Sequence, residues 1–461
     1  MSRGPTLAEV HRQDNDGQIG ASKNHERKPS CRWFTSRTSP THPVSEIQAF
    51  RWIVRFAILA GTIFILLAGQ ALHRGLATLP AGLSSTIAVC GLIVTGVLSV
   101  TGWLALFVGI LVAFKLRWFC RWMCPLGTCN ELSTLLGKNV GLRRPSVPHL
   151  GHYLVFATLA GAFAGFPVLL WLDPLALFSS IGQPFSSSPV LLAIGMSGVL
   201  TAVGLSFLFP GVWCSRICPL GGFQEVVFVL RWSALGFLAR VFARRGRRPT
   251  TTGGQRVELS EGSDIARIGR RGILAAFGTA IWVYVAPRFS SSTVSPLRPP
   301  GAAPEDRKFL ALCVRCGNCV RACPTGIIQP QLSTGGPFAW LAPRLVFTDN
   351  FCDPSCTRCA EACPSGALTP FSTAEKPHVI IGKAVVELDD CLLTAERECG
   401  ICRSHCPYQA IRLQFNEETY SVQPIVDLAQ CPGCGACEAV CPTVPRKAIH
   451  VERVQTIGKA K

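Results

Sequence analysis

The chain has 461 residues, room for two or three domains at roughly 100–200 residues each. Hydrophobic residues make up 48% and charged residues 16%, with 23 cysteines and 33 prolines, a composition that argues against both a disordered polymer and a soluble enzyme with one core. Lys plus Arg outnumber Asp plus Glu 45 to 27, yet 29 against 11 fall before residue 301 and 16 against 16 after it; the +18 charge therefore flanks apolar runs, which suits a membrane better than nucleic acid.

Residues 1–44 are polar and lack apolar periodicity, so they are expected to form a disordered cytoplasmic tail. They do not read as a signal peptide, because the first apolar run begins only at Trp52. Residues 45–235 then hold four apolar runs: Trp52–Gly69, Ser84–Phe114, Tyr153–Leu172 and Pro189–Phe209. Their lengths predict a polytopic α-helical membrane domain of four spans, the second being one long tilted or broken helix. Basic residues cluster after the second run (Lys115, Arg117, Arg121) and after the fourth (Arg240, Arg244, Arg245). That bias places the amino terminus inside and returns the chain there after four crossings. Residues 236–268 read as a cytoplasmic basic linker. A fifth apolar segment lies within residues 269–287, and the Pro/Ser-rich stretch 288–304 leads to residues 305–461 outside.

Beyond Leu312 the sequence repeats itself four times. Cys313, Cys316, Cys319 and Cys323 form CxxCxxCxxxCP, and Cys431, Cys434, Cys437 and Cys441 repeat that spacing. Cys352, Cys356, Cys359 and Cys363 add one residue to the first gap, while Cys391, Cys399, Cys402 and Cys406 add five. Each block closes with Cys-Pro and a short apolar tail. A cubane cluster takes one thiolate at each of four irons, and in two-cluster ferredoxins the cysteine before proline serves the other cluster. Four blocks thus predict four [4Fe-4S] clusters in an α+β ferredoxin-like domain, with the pairing of blocks left open. A disulfide framework has no reason to place proline after each fourth cysteine; zinc, which also uses CxxC pairs, is the remaining alternative. Gly317, Gly433 and Gly435 are expected at backbone turns around a cluster.

A second duplication lies earlier. Cys120 and Cys124 sit in WFCRWMCPLG, and Cys214 and Cys218 in VWCSRICPLG. Four thiolates from two short loops can close around one cluster, each pair can belong to a separate cluster with other ligands, or the cysteines can simply pack. No CxxCH occurs, so covalent haem has no signal. No phosphate loop or metalloprotease motif is present either.

With these motifs in hand, residues 45–235 resemble the polytopic NapH family and the membrane part of NosR, on the strength of Cys120, Cys124, Pro125, Cys214, Cys218 and Pro219. From about residue 265 the chain resembles NapG and MauM, ferredoxins with four cluster motifs and a twin-arginine leader, which Gly269–Leu274 (GRRGIL) matches. Arg270 and Arg271 also serve the simpler reading of a positive-inside flank. The resemblance implies a bacterial inner-membrane electron-transfer protein. Quinol would be the donor, and a periplasmic reductase or c-type cytochrome the acceptor, with the ferredoxin domain periplasmic. The alternative is an assembly or regulatory factor for a periplasmic metalloenzyme. Either way substrate chemistry belongs to another subunit.

Overall fold

A computed structural model describes residues 43–72, 78–143, 148–167, 169–182, 189–244, 278, 281, 296–331, 339–395, 397–417 and 420–454. The leading tail up to residue 42, the arginine pair at 270–271 and nearly all of the fifth apolar segment lie outside these residues. Contacts divide the chain between Ala49 and Phe50. The described part of the first unit is the opening of the first helix, and the second unit carries everything else.

The first helix, α1 (Pro43–Leu72), contains the apolar stretch Gln48–Leu67. Among the described residues it is the one helix long and apolar enough to cross a membrane. The other apolar helical stretches run 10–17 residues, over Ser85–Thr95, Thr101–Phe114, Leu150–Phe163 and Met196–Leu208, the last being the second part of a 20-residue helix. The expected polytopic domain of four spans is therefore corrected. Among the described residues the fold is mostly α-helical with small β-sheets and a single candidate crossing.

Local chemistry explains where the runs break. The region read as one long span is two helices, α3 (Ser85–Thr95), which follows the single turn α2 (Leu79–Gly82), and α4 (Val100–Phe114). Gly96 closes α3 in the left-handed region at φ 69°, and Ser99 opens α4 by accepting the Gly102 N–H at 3.1 Å. After α5 (Trp118–Trp122) and α6 (Pro125–Asn139), α7 (Leu150–Phe163) stops ahead of Gly165, whose φ is 82°. The rest of that predicted span becomes a 3₁₀ turn and the buried helix α8 (Pro174–Ser179), capped by Asp173. Helices α9 (Pro189–Leu208) and α10 (Pro219–Arg244) complete this half. Large apolar side chains remain on its surface, including Trp103, Phe107, Ile110 and Phe114 on α4, the kind of patch that meets a membrane or a partner.

The cysteine-rich half is built from short helices and three two-stranded antiparallel sheets. β1 (Ile328–Pro330) pairs with β2 (Pro343–Leu345), β3 (Lys383–Val386) with β6 (Ile449–Glu452), and β4 (Ile411–Asn416) with β5 (Ser421–Val426). The apolar tails after three Cys-Pro pairs become β1, β4 and β6, while the fourth makes the isolated bridge Ala302↔Leu368. Each tail therefore folds back as an edge that covers the neighbouring thiols.

The two halves share a core. Cys90, Leu170 and Ala176 pack with Val314 and Cys316. Arg321 Nη1 donates to Ser179 O at 3.0 Å, and Asn318 Nδ2 to Thr78 O at 3.3 Å. Gly91 must be glycine here, because a Cβ would stand 2.9 Å from Ser365 O.

Candidate metal sites

The sixteen block cysteines gather around four cavities in a crossed pattern. Cys313, Cys316 and Cys319 line one with Cys363, while Cys323 joins Cys352, Cys356 and Cys359 around another. Cys391, Cys399 and Cys402 line a third with Cys441, while Cys406 joins Cys431, Cys434 and Cys437 around the fourth. The first block thus pairs with the second and the third with the fourth, a point the spacing left open. Each cavity combines four cysteines with apolar neighbours, among them Ile327 and Ile328, Ala367 and Leu368, Ala448 and Ile449, and Ala410 and Ile411, so the same surroundings recur four times.

The donor chemistry can be tested against the competing metals. Among the described residues, the one group of three His, Cys, Asp or Glu ligand atoms mutually within 4.8 Å is His149, His152 and Glu225. No cysteine set is that tight, whereas Zn–S bonds of about 2.3 Å place the sulfurs of a tetrahedral zinc site about 3.8 Å apart. No described cysteine is in a disulfide. Wider sets of four thiols around a common cavity fit a cubane. Burial pushes the thiols of Cys316, Cys359 and Cys434 up to about 12, so binding iron there releases protons.

The predicted turn glycines occupy left-handed backbone: φ is 73° at Gly317, 80° at Gly433 and 82° at Gly435. Gly317 and Gly435 each precede a short helix, Asn318–Ala322 and Ala436–Val440, which carries the third cysteine of its block. A Cβ at Gly435 would stand 2.3 Å from Phe347 Cγ. Gly435→Ala is therefore expected to cost at least ~1–3 kcal/mol, measured as a lower Tm.

The two modules also touch. Cys352 N donates to Cys434 O at 2.9 Å, joining the second cavity to the fourth, and Tyr408 lines the fourth. The cavities thereby form a series, running from the Cys313 set through the Cys323 set and the Cys406 set to the Cys391 set.

In the helical half the four repeated cysteines converge. Cys124 and Cys218 are buried in one core, with Cys214 packed against it. Burial, followed by the neighbouring Cys120, Cys214 and Cys218, holds the Cys124 thiol well above its ordinary range. Both loops use the same local solution: the second cysteine is extended, as residues before proline prefer, and Pro125 or Pro219 starts the next helix. Gly127 and Gly221 are equivalent too, a Cβ on them standing 2.9 Å from Cys120 O and 3.1 Å from Cys214 O.

The repeat extends further than CPLG, to CPLGTCNE and CPLGGFQE. Gln224 Nε2 reaches across to Cys120 Sγ at 3.2 Å. Its counterpart Asn130 stands beside Cys214, the first cysteine of the other repeat. Asn130 Nδ2 is buried with its donor capacity unused, which fits an N–H facing a bound group; the unpartnered oxygens Asn130 Oδ1 and Gln224 Oε1 are acceptors and add nothing to that. The glutamates that follow hold other elements: Glu131 pairs with Arg51 and Arg55, and Glu225 with Arg117 at 2.6 Å and His152 at 2.7 Å. Sequence reasoning missed all four residues, although lengthening the repeat by four positions would have found them.

Comparison with known proteins agrees with this chemistry. A family model described as a 4Fe-4S dicluster domain matches residues 312–367 and 397–444. Another, described as a 4Fe-4S binding domain, matches residues 95–143 and 191–243. The methylamine utilization ferredoxin-type protein MauM of Methylorubrum extorquens is 36% identical over 181 residues, covering 37% of this chain and 78% of the relative. MauM of Methylophilus methylotrophus is 35% identical over 207 residues, 42% of this chain and 88% of the relative. The ferredoxin-type protein NapG of Escherichia coli is 36% identical over 178 residues, 37% and 75% respectively. No solved structure matches. The expected NapH- and NosR-type fusion is corrected by these findings. The similarity is to ferredoxins with tandem 4Fe-4S domains, and the described residues of the helical half offer one candidate membrane helix in place of a polytopic domain.

Proposed function

The chain belongs to the MauM/NapG family of ferredoxin-type proteins, and from that premise we propose a bacterial inner-membrane carrier that passes electrons from quinol to a periplasmic reductase or c-type cytochrome. α1 is the anchor, with the amino terminus in the cytoplasm and the ferredoxin domain in the periplasm. The Cys313–Cys363, Cys323–Cys359, Cys391–Cys441 and Cys406–Cys437 sets each hold one [4Fe-4S] cluster, four in all. Cys120, Cys124, Cys214 and Cys218 together hold a fifth, in keeping with amides that cross from one repeat to the other. The bound clusters supply one-electron redox chemistry, while the protein spaces and shields them.

The observation that carries this reading is the series of four crossed cysteine sets, joined in the middle by the Cys352–Cys434 hydrogen bond. A storage or purely structural role has no need of such continuity. The test is anaerobic iron and sulfide quantification of the full-length protein, with EPR during titration by a quinol analogue. About five clusters reduced by quinol is the expected result. Four would remove the site in the helical half, and clusters inert to quinol would overturn the donor assignment.

A further inference from the structure

Lys376 stands apart from every other described cation in the ferredoxin half. It opens the 3₁₀ turn Lys376–His378 and is 2% exposed. Its ammonium donates to Cys352 Sγ at 3.2 Å and to Cys356 O at 3.0 Å, and lies 5.2 Å from the centroid of the Phe371 ring. Among the described residues no carboxylate pairs with it. Asp353 lines the same cavity and feels the Lys376 charge, but forms no ion pair with it; its carboxylate accepts the Ser355 N–H at 2.8 Å and the Ser355 hydroxyl at 2.7 Å. A buried ammonium with no carboxylate in hydrogen-bond contact is unfavourable, so negative charge at the sulfur it faces favours its place in the fold.

Other cysteine sulfurs take neutral donors: the N–H of Leu368 on Cys363, of Ala410 on Cys406 and of Gly127 on Cys124. Arg321, also buried, directs Nη1 and Nη2 to the carbonyls of Ser179 and Cys316. Lys376 instead brings a charged N–H onto the sulfur itself. Net charge and hydrogen bonds to the sulfurs are what tune a cluster's reduction potential. Each added electron makes the group more negative, and a fixed cation in a low-dielectric site favours that state over the oxidised one.

We propose that Lys376 is a tuning residue for the group held by Cys323, Cys352, Cys356 and Cys359, raising its reduction potential above the value its four thiolates alone would set. This rests on those four cysteines being one ligand set. The second position of the series, beside the junction between the two modules, would then hold an electron more strongly than its thiolates alone allow.

The test is an EPR-monitored potentiometric titration of the full-length protein, with iron and sulfide counted in parallel, for the wild type, Lys376→Met and Lys376→Arg. In Lys376→Met one midpoint is expected to fall, so that at a fixed ambient potential its reduced-to-oxidised ratio drops at least tenfold, which is 59 mV for a one-electron couple. The other midpoints stay in place, and Lys376→Arg restores most of the shift. Unchanged midpoints with full iron content would overturn the proposal. Where Lys376→Met loses iron, Lys376→Gln decides, because it keeps an N–H donor and removes the charge. Loss of the same cluster from both neutral variants would also overturn it, in favour of a lysine that only holds its loop. A wild-type protein without this cluster would refute the ligand set itself, which is a different failure.

Discussion

Cys323→Ala is expected to remove the same cluster as Cys356→Ala, although the two cysteines belong to different sequence blocks. Cys323 lines the cavity of Cys352, Cys356 and Cys359, while Cys363 crosses the other way to Cys313, Cys316 and Cys319. Each single variant should lose about four irons and one EPR signal. The double variant Cys323→Ala/Cys356→Ala should lose no more than either single change, since both strike one site. Cys323→Ala/Cys316→Ala should lose about eight, since they strike two. Block-wise ligation predicts the reverse: non-additivity for Cys323 with Cys316 and additivity for Cys323 with Cys356. Iron counts on four proteins separate the two patterns, and the reversed pattern would sink the crossed assignment. The same logic applies to Cys406 and Cys441 in the second module.

This crossing also marks the boundary of what the sequence makes legible. Spacing identifies sixteen thiols and their chemistry, because a tight loop can offer three cysteines to one cluster only at short intervals. It says nothing of which loop receives the fourth, since that depends on how the tails after the Cys-Pro pairs fold back: β1 onto β2, β4 onto β5, β6 onto β3, and Leu368 onto Ala302. The turn glycines were legible for a local reason, left-handed backbone, and the structure places Gly317, Gly433 and Gly435 there. The helical half was misread because apolar length was counted without its punctuation. Gly96 and Ser99 divide one run, Gly165 ends another, and Asp173 restarts the chain as a short buried helix. Each of those residues is a recognised helix stop or start. Lys376 had no comparable signal. It lies thirteen residues past Cys363 in a polar stretch, and only the folded chain brings its ammonium under Cys352.

Glu131→Ala is expected to have the larger effect of the two equivalent glutamate substitutions. Arg55 sits on the candidate membrane helix yet is 2% exposed, with Nη1 on Glu131 Oε2, Nε on Thr128 Oγ1 at 3.3 Å and Nη2 on Gly127 O at 2.9 Å. Arg51 adds a contact to Glu131 Oε1 at 2.8 Å. Removing the carboxylate leaves a buried guanidinium with only neutral acceptors, a change worth ~3–5 kcal/mol when a pair is fully buried. The Glu131 side chain is 26% exposed, so solvent screening places the expected loss toward the lower end of that range. Glu225 faces Arg117 and His152, which are 28% and 17% exposed, and water can take over more of its role. Glu225→Ala should therefore cost roughly 1 kcal/mol. The difference is measurable as Tm in detergent. Equal losses within about 0.5 kcal/mol, the ordinary scatter of surface substitutions, would show that Arg55 does not depend on Glu131. The two sites also differ in reach. Gly127, whose carbonyl receives Arg55, donates its own N–H to Cys124 Sγ at 3.3 Å. Freeing Arg55 should then disturb the turn that aims Cys124, and Glu131→Ala should lower the iron bound at the four converging cysteines before it lowers that of the ferredoxin half.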